Sequence, residues 1–229
     1  MDRLASVILP CHNQADHLGE VVARYIAATA DLPLRVEFVL VPNSCRDDTP
    51  QVCRALAERH DHVRVVEVGE PGWGRAVRAG LEQARGDLLC YTNSARTSTE
   101  MLVLSLLFAS VHANAVIKAN RRIRDNILRR LGSLLYNLEC RMLFDLPEWD
   151  INGTPKVFPR SASTLLALER DDDLIDLEFV VRCRRGGHPI LEVPLLATER
   201  HGGESTTSLG SAVRMYVGAL RLARAWGRP

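Results

Sequence analysis

The sequence predicts an α/β domain with a Rossmann-like, mostly parallel central sheet flanked by helices. Two observations carry that expectation. Apolar runs of strand length alternate with helical patterns through the first hundred residues, the signature of parallel strands covered on both faces. No internal repeat, low-complexity tract or linker divides the 229 residues, a length that suits one domain with a sizeable core.

The elements follow in order. "LASVILP" (Leu4–Pro10) is a first strand and Asp16–Ala30 a helix; "LRVEFVLVP" (Leu34–Pro42) is a second strand, followed by the helical "DDTPQVCRALAERH". "HVRVVEV" is a third strand, and glycines open the helix "GWGRAVRAGLEQAR". "GDLLCYTN" (Gly86–Asn93) is a fourth strand; then come a long helix, a strand "NAVIKA", a basic helix over Arg124–Phe144 and a strand "PILEVPLL". The tail "SLGSAVRMYVGALRLARAW" spaces apolar residues helically with arginines between them. Ligands of such sheets bind beyond the carboxyl ends of the strands. That directs attention to the loops Pro10–Gln14, Pro42–Asp47, Gly69–Gly74 and Asn93–Arg96.

Composition excludes several classes. A formal net charge of +1 gives no general pull toward nucleic acid. The six cysteines have no C-x-x-C spacing and sit in apolar runs, as small buried residues of a reducing compartment do. The N-terminus enters a strand directly and does not read as a signal peptide. The apolar run "MLVLSLLFASVHANAVI" is broken by Ser, His and Asn and falls short of a membrane span. The expectation is a cytoplasmic chain, with contact to the inner membrane surface through the C-terminal helix as an extension. Packing of that helix on the domain, or on a second subunit of a homodimer, is the alternative.

Several segments, in order and at compatible spacing, resemble glycosyltransferase family 2, in particular its dolichyl-phosphate mannose synthase-like branch. "VILPCHNQADHL" resembles the opening strand and its turn, "VLVPNSCRDDT" the second strand with its acidic loop, and "GWGRAVRAGLEQARGD" the glycine-opened helix leading to the metal-binding strand. "DINGTPKVFPR" and "DLEFVVRCRRGGHPILEVPL" resemble acceptor-side segments. The resemblance implies a GT-A fold over one domain. Residues 1–100 would form the nucleotide-sugar half, 101–207 the acceptor half and 208–229 an amphipathic helix. It also implies transfer of a sugar from a nucleoside diphosphate with inversion. In the family, a D-x-D motif holds Mg²⁺ or Mn²⁺ on the diphosphate, offsetting the charge of the leaving group.

The donor side departs from that pattern as a set. Gln14 stands where the family has Glu, Pro42 and Asn43 where it has two consecutive acids, and Asn93 and Ala95 at the D-x-D positions. Asp47 remains. No metal is expected, and Arg96 becomes the candidate to meet the diphosphate in its place. The donor-side set is therefore Pro10, His12, Asn13, Gln14, Asn43, Asp47, Gly72, Trp73, Gly74, Arg78, Asn93, Ser94, Ala95 and Arg96. Trp73 would stack on a base or sugar, or pack on the sheet; the glycines would let a helix N-terminus approach a phosphate or the sheet.

On the acceptor side, Asp176 and Glu178 are the candidate catalytic acids. Two apart on a helix they diverge by about 200°, so one of them faces the cleft, and Asp176 is the candidate base. A phosphate acceptor is already ionised and needs no base. Arg121, Arg122, Arg130, Asp150, Asn152, Lys156, Arg200, His201 and Ser205 form the candidate acceptor or phosphate site. The implied partners are a nucleotide-sugar donor and a polyprenyl phosphate or small-molecule acceptor. The rival reading is a non-catalytic relative that binds a nucleotide, sugar or partner and regulates or scaffolds an enzyme.

Overall fold

A computed structural model describes residues 3–121, 127–195 and 209–227. Seven strands form one sheet: β1 (Leu4–Cys11), β2 (Arg35–Pro42), β3 (Val63–Val65), β4 (Leu88–Tyr91), β5 (Val116–Arg121), β6 (Lys156–Pro159) and β7 (Ile190–Leu195), in the order β3-β2-β1-β4-β6-β5-β7. β1 pairs in parallel with β2 and β4, β2 with β3, and β5 with β7, whereas β6 runs antiparallel between β4 and β5. Among the described residues the α-helices are α1 (Leu18–Thr29), α2 (Thr49–Arg59), α3 (Trp73–Gln83), α4 (Thr99–Val111), α5 (Ile127–Phe144), α6 (Ile175–Arg185) and α7 (Leu209–Trp226).

The two-residue period of each strand sorts its side chains onto two apolar layers. Val7, Leu9, Phe38, Leu40, Leu88, Cys90, Ile117 and Val157 pack under α1, α2 and α4. Ile8, Val39, Val41, Leu89, Tyr91, Val116 and Phe158 pack under α3, α5, α6 and α7. Lys118 and Lys156 keep step with Val116 and Phe158, so both lysines enter the second layer, where each is fully buried.

The expected parallel α/β sheet is present, with two differences. The sequence reading placed no strand at β6, whose four residues lie in a segment punctuated by Gly and Pro. The third strand is short: only Val63–Val65 pairs with β2, and beyond it a single bridge joins Asn43 and Val68. Pro194 is accommodated because β7 closes the sheet as an edge strand. Because β6 is reversed, its first residue, Lys156, lies at the same sheet edge as the last residues of β1, β2, β4 and β5. That edge carries the site.

Candidate functional site

The loops after β1, β2 and β4 are tied into one floor. The Gln14 amide donates to Thr49 Oγ1 at 2.7 Å, and the Gln14 side-chain oxygen accepts from Ser94 Oγ at 2.7 Å. Asn43 Nδ2 donates to the Cys11 carbonyl at 3.0 Å, His12 Nδ1 lies 2.8 Å from the Asn43 carbonyl, and Asn13 Oδ1 accepts from Arg46 N. Asn13 and Ser44 hold left-handed backbone at φ 50° and 47°, local strain of the kind that concentrates where a loop is fixed for a purpose. Asp47 accepts from Ala15 N, Thr49 N and Thr49 Oγ1. Burial opposes its ionisation, but those hydrogen bonds prevail and lower its pKa.

The D-x-D positions of this floor carry no carboxylate. Asn93 Oδ1 accepts from Ala95 N at 3.0 Å, Ala95 offers no side-chain ligand, and Ser94 is committed to Gln14. Among the described residues no group of three His, Cys, Asp or Glu side chains converges as a metal site. Mg²⁺ and Mn²⁺ require several carboxylate or water oxygens, and the D-x-D positions supply none from a carboxylate. Half-buried Arg96 follows directly, its backbone N–H bonded to the Asn93 carbonyl.

A second group centres on Asp176, in the first turn of α6. Its Oδ1 accepts from Tyr91 Oη at 3.0 Å and pairs with Lys156 Nζ, while Oδ2 accepts from Trp73 Nε1 at 3.2 Å. Lys156 Nζ also lies 5.4 Å from the Tyr91 ring centroid. Burial pulls its ammonium down to about 8, with Asp176 opposing the fall. Burial, then Asp176, raises the Tyr91 hydroxyl well above its ordinary value, so it stays a donor. The Asp176 carboxylate is thus engaged by three hydrogen bonds, one of them from the Lys156 ammonium. Trp73 is thereby tied to this cluster by its indole N–H.

The third group is a clamp at the end of β5. Asp150 (φ 48°) grips Arg121 with both oxygens, Nε–Oδ2 2.7 Å and Nη2–Oδ1 2.8 Å, and its Oδ2 also accepts from Arg121 N. Nη2 reaches the Asn152 carbonyl too, at 2.8 Å. Burial disfavours the guanidinium charge, yet Asp150 outweighs it and the Arg121 pKa rises. Asn152 Oδ1 is buried without a hydrogen-bond partner among the described residues. Underneath, Lys118 Nζ pairs with Glu192 at 2.7 Å and donates to the Asp150 carbonyl, fixing the loop that carries Asp150. The sequence reading passed over Lys118 and Glu192; a lysine inside the apolar "NAVIKA" was the available signal.

Four expected residues lie apart from these groups. Fully buried Glu178 accepts from the Glu169 and Arg170 amides and pairs with Arg182, so it anchors the 169–172 segment. Arg78 pairs with Asp171 of that segment. Gly72 adopts φ 147°, and a Cβ on Gly74 would lie 2.3 Å from the Arg170 carbonyl oxygen. The close approach these glycines permit is thus to residues 170–172, and Asp171 O accepts from Arg75 N in the first turn of α3. Arg122, Arg200, His201 and Ser205, and the side chain of Arg130, lie outside the described residues.

The sheet order, the reversed β6 and the edge site define a GT-A fold, the class of the nucleotide-sugar transferases. The chain belongs to glycosyl transferase family 2, whose family model matches residues 6–145. It is 31% identical over 161 residues to an undecaprenyl-phosphate 4-deoxy-4-formamido-L-arabinose transferase of Pseudomonas aeruginosa, covering 69% of this chain and 48% of the relative. It is 29% identical over 203 residues to the glycosyltransferase AglD of Haloferax volcanii, covering 83% of this chain and 32% of the relative. The chain thus spans about half or less of these relatives' length. Glucosyl-3-phosphoglycerate synthase of Mycobacterium tuberculosis, solved with Mn²⁺, UDP-glucose and phosphoglyceric acid, shares the fold at TM-score 0.74 and 20% identity, over 99% of this chain and 81% of that one.

Proposed function

We propose that this chain is an inverting glycosyltransferase of the mannose synthase-like branch. In this reading it moves a sugar from a nucleotide-activated donor to a polyprenyl phosphate, holding the donor diphosphate without a D-x-D-bound metal. The observation that carries the acceptor class is the saturated Asp176. A hydroxyl acceptor needs a base, whereas a phosphate oxygen arrives ionised. That oxygen attacks the anomeric carbon, the new C–O bond forms as the bond to the diphosphate breaks, and the nucleoside diphosphate leaves with the electron pair. No proton has to be removed from the nucleophile.

The donor half, residues 1–100, supplies the uncharged side chains of Gln14, Asn43, Asn93 and Ser94 where the family has acids or their neighbours, with the Asp47 carboxylate beside them. Arg96 supplies the opposing cation, able to bind two phosphate oxygens at once. The acceptor half, residues 101–207, supplies Arg121, pre-oriented by Asp150, as the phosphate clamp, with the basic residues beyond it contributing. Asp176 acts as the anchor that fixes Trp73, Tyr91 and Lys156 at the shared edge. The name of the Pseudomonas relatives, with its undecaprenyl-phosphate, supports the acceptor class, and an acceptor of that kind is presented at a membrane surface.

The loss of the acids also supports a second reading, a non-catalytic binder or scaffold. One assay separates the two. The protein is incubated with a panel of nucleotide sugars and either polyprenyl phosphate or the corresponding polyprenol. Nucleotide release with the phosphate and none above background with the alcohol is expected. Comparable use of the alcohol overturns the acceptor assignment, and donor binding without turnover across the panel selects the binder.

A further inference from the structure

A row of charged side chains crosses the sheet beside the clamp. In the pairing of β5 with β7, Lys118 lies opposite Glu192; in the pairing of β5 with β6, it lies opposite Lys156. Lys156 is bound in turn to Asp176. The order across the strands is therefore acid, lysine, lysine, acid. Both lysines are fully buried, while Glu192 at the edge is 23% exposed. Like charges directly opposite each other in a sheet repel, so each ammonium depends on the acid at its own end of the row. Asp176 serves Lys156, and Glu192 serves Lys118 at 2.7 Å.

Glu192 does more than neutralise a lysine. Its Oε1 also accepts from Trp149 N at 3.0 Å, while Lys118 Nζ donates to the Trp149 and Asp150 carbonyls. One ion pair thus holds Trp149 at both its N–H and its C=O. The Trp149 ring lies under the Arg141 guanidinium, 4.2 Å from the centroid. After Asp150, the Ile151 N–H donates to Asn137 Oδ1 at 2.7 Å. Between these ties Asp150 sits in the left-handed region, at φ 48°. A residue other than glycine keeps that conformation where its surroundings over-determine it. On the N-terminal side, the Glu192–Lys118 pair supplies that fixing, and from there both Asp150 oxygens reach Arg121.

We infer that Glu192 is a positioning residue for the acceptor clamp: through Lys118 and the Trp149–Asp150 backbone, it sets where the Arg121 guanidinium stands to meet a phosphate. The action runs through two links, Glu192 to Lys118 and Lys118 to the loop. Without the Glu192 charge, Lys118 faces Lys156 with no acid of its own, and its ammonium is driven from the two carbonyls toward water. The turn at Asp150 then loses its tie, and Arg121 loses a grip that was fixed before the acceptor arrived. Binding to a guanidinium that must first be ordered is weaker than binding to one already in place. What the clamp holds follows from the polyprenyl-phosphate reading, on which this assignment rests; how the clamp is held does not depend on it.

Two variants and two readouts test it. Glu192→Gln keeps the shape and removes the charge. It is expected to raise the KM for polyprenyl phosphate about fivefold to tenfold, with kcat and the affinity for the nucleotide sugar selected by the panel within about twofold of wild type. It is also expected to lower the unfolding midpoint, because Lys118 is stranded. Lys118→Met/Glu192→Gln removes both charges and is expected to regain stability without regaining the acceptor KM, a separation that a merely structural pair does not give. Should Glu192→Gln not fold, the double variant carries both readouts. The second readout needs no substrate: solvent exchange of the Arg121 Nε–H, followed by nitrogen-15 NMR of the full chain, is expected to be at least about tenfold faster in the variants. Wild-type exchange in the variants overturns the inference, and so does a wild-type acceptor KM in the double variant. If the wild type uses no polyprenyl phosphate, the functional reading falls, while the Arg121 exchange rate still decides the role of Glu192.

Discussion

At the scale of single residues, Asp176 and Lys156 show how a buried charge is kept. Neither is exposed enough to be hydrated, so each depends on the other and on Tyr91 and Trp73. Removing one partner strands the other: Lys156→Met is expected to cost about 3–5 kcal/mol in urea unfolding, and Lys156→Met/Asp176→Asn clearly less. The pair also sets a pH dependence. Folding depresses the lysine's pKa from about 10.4 in an unfolded chain to about 8. The unfolded state then binds more protons across that window, and stability rises with pH through it. The wild type is expected to gain on Lys156→Met between pH 8 and 10, and equal slopes for the two proteins would contradict the assignment. At the clamp, Asp150→Asn frees Arg121 from its bidentate grip; it is expected to weaken phosphate-acceptor binding about tenfold and, because the guanidinium loses its buried partner, to lower the unfolding midpoint as well. Sequence likeness marked Asp176, Lys156 and Asp150 individually. It did not reveal that Asp176 and Lys156 saturate each other, because a twenty-residue separation carries no trace of contact until β6 is seen to run backwards.

Elements explain which expectations about the edge were reachable. β1, β2 and β4 were legible because apolar runs buried on both faces have few alternatives. β6 was not: four residues beside Gly and Pro carry too little pattern, and their strand state comes from pairing with β4 and β5. The glycine-opened start of α3 was recognised, but its neighbour is the 169–172 segment, brought there by Glu178 and α6. Gly74→Ala would force a Cβ into the Arg170 carbonyl. An unfolding measurement should register a loss of about 1–3 kcal/mol, the usual scale for overpacking, whereas a neutral result would mean that the segment can withdraw without cost.

For the molecule as a whole, one sheet edge joins a donor floor of amides with the Asp47 carboxylate, an anchored Asp176 and a guanidinium clamp. The replacements at Gln14, Asn43, Asn93 and Ala95 act together because their loops are hydrogen-bonded or packed as one surface. Restoring one acid alone, as in Asn93→Asp, is therefore not expected to create Mn²⁺-dependent donor binding, which isothermal titration with and without the ion would check. The claim at the centre of this account is that the donor diphosphate is held without a D-x-D metal and with Arg96. Its most direct test is equilibrium binding of the nucleotide sugar identified by panel screening, in EDTA and in Mn²⁺, for the wild type and Arg96→Ala. The account predicts equal affinity in both buffers and a loss of at least about tenfold in the variant. Binding that vanishes in EDTA and returns with Mn²⁺ would contradict it.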